Sequence, residues 1–218
     1  KTRGFWLVAT CHGLSAMSPV TLSIHLVPAL NDAGWSLAAA GWALFVMSVA
    51  TGVFQMLGGI LGDKVRKEPA IFVAITIQAT GVFILALGVS SEATPTILLG
   101  VALYGGGLGS RVPLITAIRG DYFGRSSFGT IMGVSQIPMN IIMFGAPWAA
   151  GWLFEVFKSY TVPFMALSAF NLLGGVIMLF SKHPDLDSIP SPMSRGFWMP
   201  VPEGRSSDPS GDNAIAKK

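Results

Sequence analysis

The chain has 218 residues, 51% of them hydrophobic and only 11% charged, where an ordinary soluble domain carries about 25% charged residues. A mean hydropathy of +0.61 together with 26 glycines and 14 prolines excludes a soluble core and describes helices in a bilayer, where neighbouring helices and waters re-satisfy freed backbone groups. The single Cys11 excludes an intrachain disulfide framework and any multi-cysteine metal site. The net charge of +3 sits in short basic clusters beside apolar runs, which suits anionic lipid headgroups and not nucleic acid.

The chain opens at Lys1 and enters an apolar run at Phe5 that is too long for a cleavable signal. The start therefore reads as a point inside a larger protein. A bilayer core of about 30 Å needs about 20 apolar helical residues, and six segments qualify: 5–30, 36–61, 70–89, 96–118, 128–153 and 162–180. Their connections are short, which predicts that sequential helices are antiparallel neighbours. Lys1, Arg3, Lys64, Arg66, Lys67, Arg119, Arg125 and Lys182 fall on one side, and Lys158 alone on the other. The first side is expected to be cytoplasmic and to hold both termini, in a multi-pass plasma-membrane (cell inner membrane) protein. Residues 1–181 form the bundle. Residues 182–218, rich in proline and serine, are expected to be a disordered cytoplasmic tail.

Helix-breaking residues gather in the first and fourth spans: Pro19 and Pro28, then Gly105-Gly106-Gly107, Gly109 and Pro113. These spans lead two successive triplets, and interrupted helices at matching positions of two repeats point to a substrate path. The competing reading is close helix packing through small residues.

Arg111 is the one permanently charged residue inside the predicted spans, about 6 Å from the middle of its helix. It reads as an anion ligand, as a side chain snorkelling to the surface, or as a structural partner of Asp121 or Asp63. Tyr104 stands two turns away on the same face, across glycines that would leave the backbone open to a ligand. The first span adds His12 and Ser15, then Thr21 and His25 at i,i+4. The fifth adds Gln136 and Asn140. Each reads either as cavity lining or as inter-helix glue. No Asp or Glu lies in any span, so a proton carrier would be either a carboxylate in the missing part of the protein or a histidine here. Walker, dinucleotide and nucleophile-elbow signatures are missing from the sequence, and nothing implies a cofactor or an enzyme.

The stretch Gly59-Ile60-Leu61-Gly62-Asp63-Lys64-Val65-Arg66-Lys67 resembles the signature loop of the major facilitator superfamily, with Arg66 where the pattern usually has glycine. Its place between the second and third spans fits that family. Two further stretches, 25–34 and 120–133, resemble bacterial members of the monocarboxylate and oxalate/formate antiporter group. The resemblance implies an all-α fold of six transmembrane helices in two inverted triplets, forming the C-terminal half of a twelve-helix transporter. It implies a small organic anion as substrate, a missing N-terminal six-helix half as partner, and coupling to protons or a counter-substrate. It also implies a cytoplasmic latch in which Asp63 meets the start of the fifth helix, and Arg66 or Lys67 pairs with Asp121 beside Arg125. The alternatives are a neutral or cationic solute or, from another class, a six-helix membrane enzyme or a non-transporting scaffold.

Overall fold

The computed structural model describes residues 2–123 and 128–180, with backbone alone around the facing ends of the fourth and fifth helices. Six helices follow in order: α1 (Thr2–Asp32), α2 (Leu37–Gly62), α3 (Lys67–Ser91), α4 (Thr94–Phe123), α5 (Phe128–Phe157) and α6 (Thr161–Leu179). Among the described residues, five of them, α1 to α4 and α6, are long and apolar enough to cross a bilayer. The helices overrun most of the predicted spans because each takes in polar residues at its ends. Pro69, Pro95 and Pro163 fall in the first turns of α3, α4 and α6, where the missing N–H costs no helical hydrogen bond. Ser36 caps α2 by accepting from Ala39 N–H at 3.2 Å. Gly34, at φ 80°, makes the left-handed turn out of α1.

The packing departs from the expectation that sequential helices are neighbours. Only α3 and α4 follow that rule extensively; α1 and α2 barely touch, as do α4 and α5. Instead α4 packs on α2 as α1 packs on α5, α3 packs on α4 as α6 packs on α1, and α3 pairs with α6. Exchanging α1, α2, α3 for α4, α5, α6 maps this pattern onto itself, which is the signature of two triplet repeats. A short loop constrains only the ends of two helices, so tilt lets their bodies diverge. Tails of lipid are as apolar as leucine, so what selects the real neighbours is how closely their surfaces can approach.

The glycines of α4 make that selection. A Cβ at Gly105 would strike the Met47 carbonyl, and one at Gly109 the Thr51 carbonyl, both on α2; one at Gly107 would strike the Gln78 backbone on α3. All three glycines are buried. Neither an open face beside Tyr104 nor a break in the helix exists here: α1 and α4 continue unbroken through Pro19, Pro28 and Pro113. The small residues serve close approach of helices. The outer helices α2 and α5 bury little else, leaving Leu37, Met56, Phe144 and Trp148 among the most exposed apolar side chains.

Candidate functional site

Along the bundle axis the interior has three layers. One apolar cluster holds Leu22, Leu26 and Leu30 of α1 with Val82, Leu85, Val101 and Phe164. A second, at the opposite end, holds Val8 and Cys11 with Ile71, Ile75, Leu114, Ile118 and Met178. Between them, near the midpoints of their helices, lie buried polar side chains: Ser15, Ser18 and Thr21 on α1, Gln78 on α3, Arg111 on α4, Ser168 and Asn171 on α6. Hydrogen bonds stitch these helices together. Gln78 Nε2 donates to the Ser15 carbonyl at 3.2 Å, Asn171 Nδ2 to Ser18 Oγ at 2.6 Å, and Ser168 Oγ to the Ala79 carbonyl at 2.8 Å.

Arg111 is the charged member, 2% exposed. Its Nη1 donates to Ser15 Oγ at 2.9 Å and approaches His12 Nδ1 at 3.3 Å. Guanidinium nitrogens only donate, so Nδ1 of His12 is the acceptor and its ring is neutral in this arrangement, with the hydrogen on Nε2. Arg111 Nε has no hydrogen-bond partner among the described residues. Neither snorkelling nor an ion pair with Asp63 describes this side chain, because it is enclosed and its bonds go to α1. The Asp121 side chain lies outside the described residues. Arg119, expected in a loop, is instead within α4 and 4% exposed, about 12 Å further along the helix. Two cations therefore occupy the interior of one helix.

The remaining candidates do not all join this centre. Tyr104 is buried in the apolar cluster, its hydroxyl without a partner among the described residues. Thr21 Oγ1 is likewise buried and unpartnered. His25 lies about 20 Å from His12 along α1, its Nε2 3.1 Å from the Pro147 carbonyl of α5 and its ring 5.8 Å from that of Tyr160. That contact ties α1 to α5 near the other end of the bundle, where Phe154 stacks on Tyr160 at 4.3 Å. The Tyr160 phenol is pushed above its ordinary value by burial and by the nearby Asp32 carboxylate. Gln136 is half-buried with Oε1 unpartnered among the described residues, and Asn140 is exposed. Sequence reasoning passed over Gln78, Ser18, Ser168 and Asn171. The two amides stood alone in apolar spans, which was the available signal.

Of the residues expected to form a latch, Asp63, Lys64 and Arg66 are exposed in the turn between α2 and α3, with Gly59 and Lys67 on the adjoining helix ends. Arg125, the Asp121 side chain and the side chains at the start of α5 lie outside the described residues.

Comparisons with known proteins bear on this arrangement. The sequence profile of the Major Facilitator Superfamily matches residues 5–209. The chain is 28% identical over 184 residues to Monocarboxylate transporter 13 of Rattus norvegicus, covering 79% of this chain and 42% of that protein. It is 29% identical over 161 residues to Monocarboxylate transporter 13 of Bos taurus, covering 73% of this chain and 37% of that protein. The chain thus spans about two fifths of the length of these relatives. Six helices in two triplets, a charged turn after the second, and a profile match over most of the chain converge: the chain belongs to the Major Facilitator Superfamily of multi-pass membrane transporters.

Proposed function

We propose that this chain is the C-terminal half of a secondary active transporter that moves a small, monocarboxylate-like organic anion by alternating access. Arg111 carries the proposal. A guanidinium near a helix centre costs about 2.5–3.5 kcal/mol on insertion scales, and here its bonds go to a neutral hydroxyl and a neutral imidazole. Such a charge, little compensated in a low-dielectric interior, is the kind of group that a carboxylate would stabilise. Its enclosure means that the anion reaches it only when α1 moves against α4. Those two helices touch over a small area, which favours such a motion. The names of the relatives above support the substrate class, and the kinship with the bacterial oxalate/formate group belongs to the same reading.

His12 supplies the coupling in this proposal. Protonating Nδ1 removes the acceptor that Arg111 uses and sets two cations side by side. A carboxylate bound at Arg111 relieves that repulsion, so anion and proton each raise the affinity for the other, as linkage requires. The clustering of bases at the ends near Lys1 and Lys64 supports cytoplasmic termini and a plasma-membrane (cell inner membrane) location. The test is uptake of labelled monocarboxylates by the full-length protein in liposomes, with and without a pH gradient. Arg111→Gln should abolish saturable uptake while Arg111→Lys keeps a fraction of it. Normal uptake and KM in Arg111→Gln would reduce Arg111 to a strut between α1 and α4.

A further inference from the structure

We infer that the cleft between α2 and α3 binds one anionic phospholipid, an acyl chain lying in the cleft and the phosphodiester at Arg66 and Lys64. The cleft, about 520 Å³, is walled by Leu57 and Leu61 of α2 and by Val73 and Ile77 of α3, floored by Leu114 of α4, and reaches Arg66 at its mouth. It exists because both walls lean on α4 and not on each other. A Cβ at Gly58 would lie 2.7 Å from Ser110 Cα, holding α2 against α4, while Gly107 holds α3 there. Two helices joined by a short turn thus diverge into a wedge.

Its length and charge identify the occupant. From Arg66 to Ile77 the wall runs about 16 Å at helical rise, close to the roughly 15 Å depth of one leaflet of the hydrocarbon core. The lining is apolar down to that depth and cationic at the surface. Lys64, Arg66 and Lys67 outnumber Asp63 and Glu68 in the turn and the first residues of α3. A chain with an anionic headgroup matches both ends at once, whereas an apolar helix of another protein would fill the groove and add nothing to offset the net positive charge at its mouth.

The test uses the full-length protein, delipidated in detergent and measured by native mass spectrometry with dioleoylphosphatidylglycerol or dioleoylphosphatidylcholine. One phosphatidylglycerol should be retained with a roughly tenfold preference, because both lipids carry the phosphodiester but the choline of phosphatidylcholine offsets its charge beside Arg66 and Lys64. Arg66→Gln should bring that preference near unity. Val73→Trp, at an exposed lining position, should fill the cleft and lower retention of both lipids; Leu57→Trp does the same from the opposite wall if the first variant folds poorly. Millimolar inorganic phosphate should leave the lipid in place. Equal retention of the two lipids, an Arg66→Gln protein with unchanged preference, or a wild type that keeps no lipid would each overturn the assignment. So would release by phosphate alone, which marks a surface anion site.

Discussion

Two glycines that differ only in what faces them allow the packing argument to be tested without reference to transport. Gly109 of α4 meets the backbone of α2: an added Cβ would strike the Thr51 carbonyl and lie 2.9 Å from Gln55 N. Neither atom belongs to a side chain that can swing aside, so Gly109→Ala must push α2 and α4 apart. Gly52, beside Thr51 on α2, has nothing within 4 Å of its added Cβ. Both substitutions gain about 0.8–1.0 kcal/mol of helix propensity. At Gly109 that gain is set against an overpacking cost of typically 1–3 kcal/mol, and against lost contact along the glycine face that also includes Gly105. Gly52→Ala should therefore stabilise by up to about 1 kcal/mol, and Gly109→Ala should destabilise by up to about 2 kcal/mol. Denaturant unfolding of the purified chain in micelles, followed by far-UV circular dichroism, reads both. If Gly109→Ala unfolds no earlier than Gly52→Ala, the view that α4 glycines set the α2–α4 spacing is wrong.

Other consequences follow from single contacts. Replacing Ser36 by alanine removes the hydroxyl that accepts from Ala39 N–H and should cost about 0.5–2 kcal/mol; Ser36→Asp should restore most of it in the same unfolding assay. His25→Ala breaks the link to the Pro147 carbonyl, worth about 0.6 kcal/mol for an average inter-helix bond in a membrane. Amide exchange at the α1–α5 contact should rise selectively, and a uniform rise across all helices would contradict the local role. Ser15→Ala leaves Arg111 with His12 as its one remaining hydrogen-bond partner among the described residues and should lower stability by about 1–3 kcal/mol, more than Ser23→Ala at an exposed position. Equal effects of the two serine variants would mean that Arg111 finds another partner.

The existence of six helices, five of them long and apolar enough among the described residues to cross a bilayer, and the place of the charged turn were legible from hydropathy and the stretch 59–67, because a span announces itself by length and composition alone. Helix ends were less legible. Proline in a first turn looks like a breaker in sequence, and Pro69 and Pro95, which read as loop residues, lie in the first turns of helices. Arg119 reads as a loop residue for a similar reason: a charge near a predicted end looks like surface, yet α4 continues to Phe123 and buries it.

Arg111 was conspicuous in the sequence because a permanent charge in a span is rare. Its partners were not, since His12 and Ser15 stand 99 and 96 residues away and no local spacing links them. The same holds for Gln78 and Ser15, or Asn171 and Ser18, pairs that only the meeting of α1 with α3 and α6 creates. The glycines of α4 show the division most clearly. By itself the sequence determined that the protein crosses the membrane repeatedly, and that one helix carries both a run of small residues and a charge. Only the tertiary structure decided that the small residues seat α2 and α3 while the charge turns towards α1. Burial in a bilayer rewards apolar composition, which is local, but partners are chosen by how closely two surfaces can approach, which depends on residues far apart in the chain.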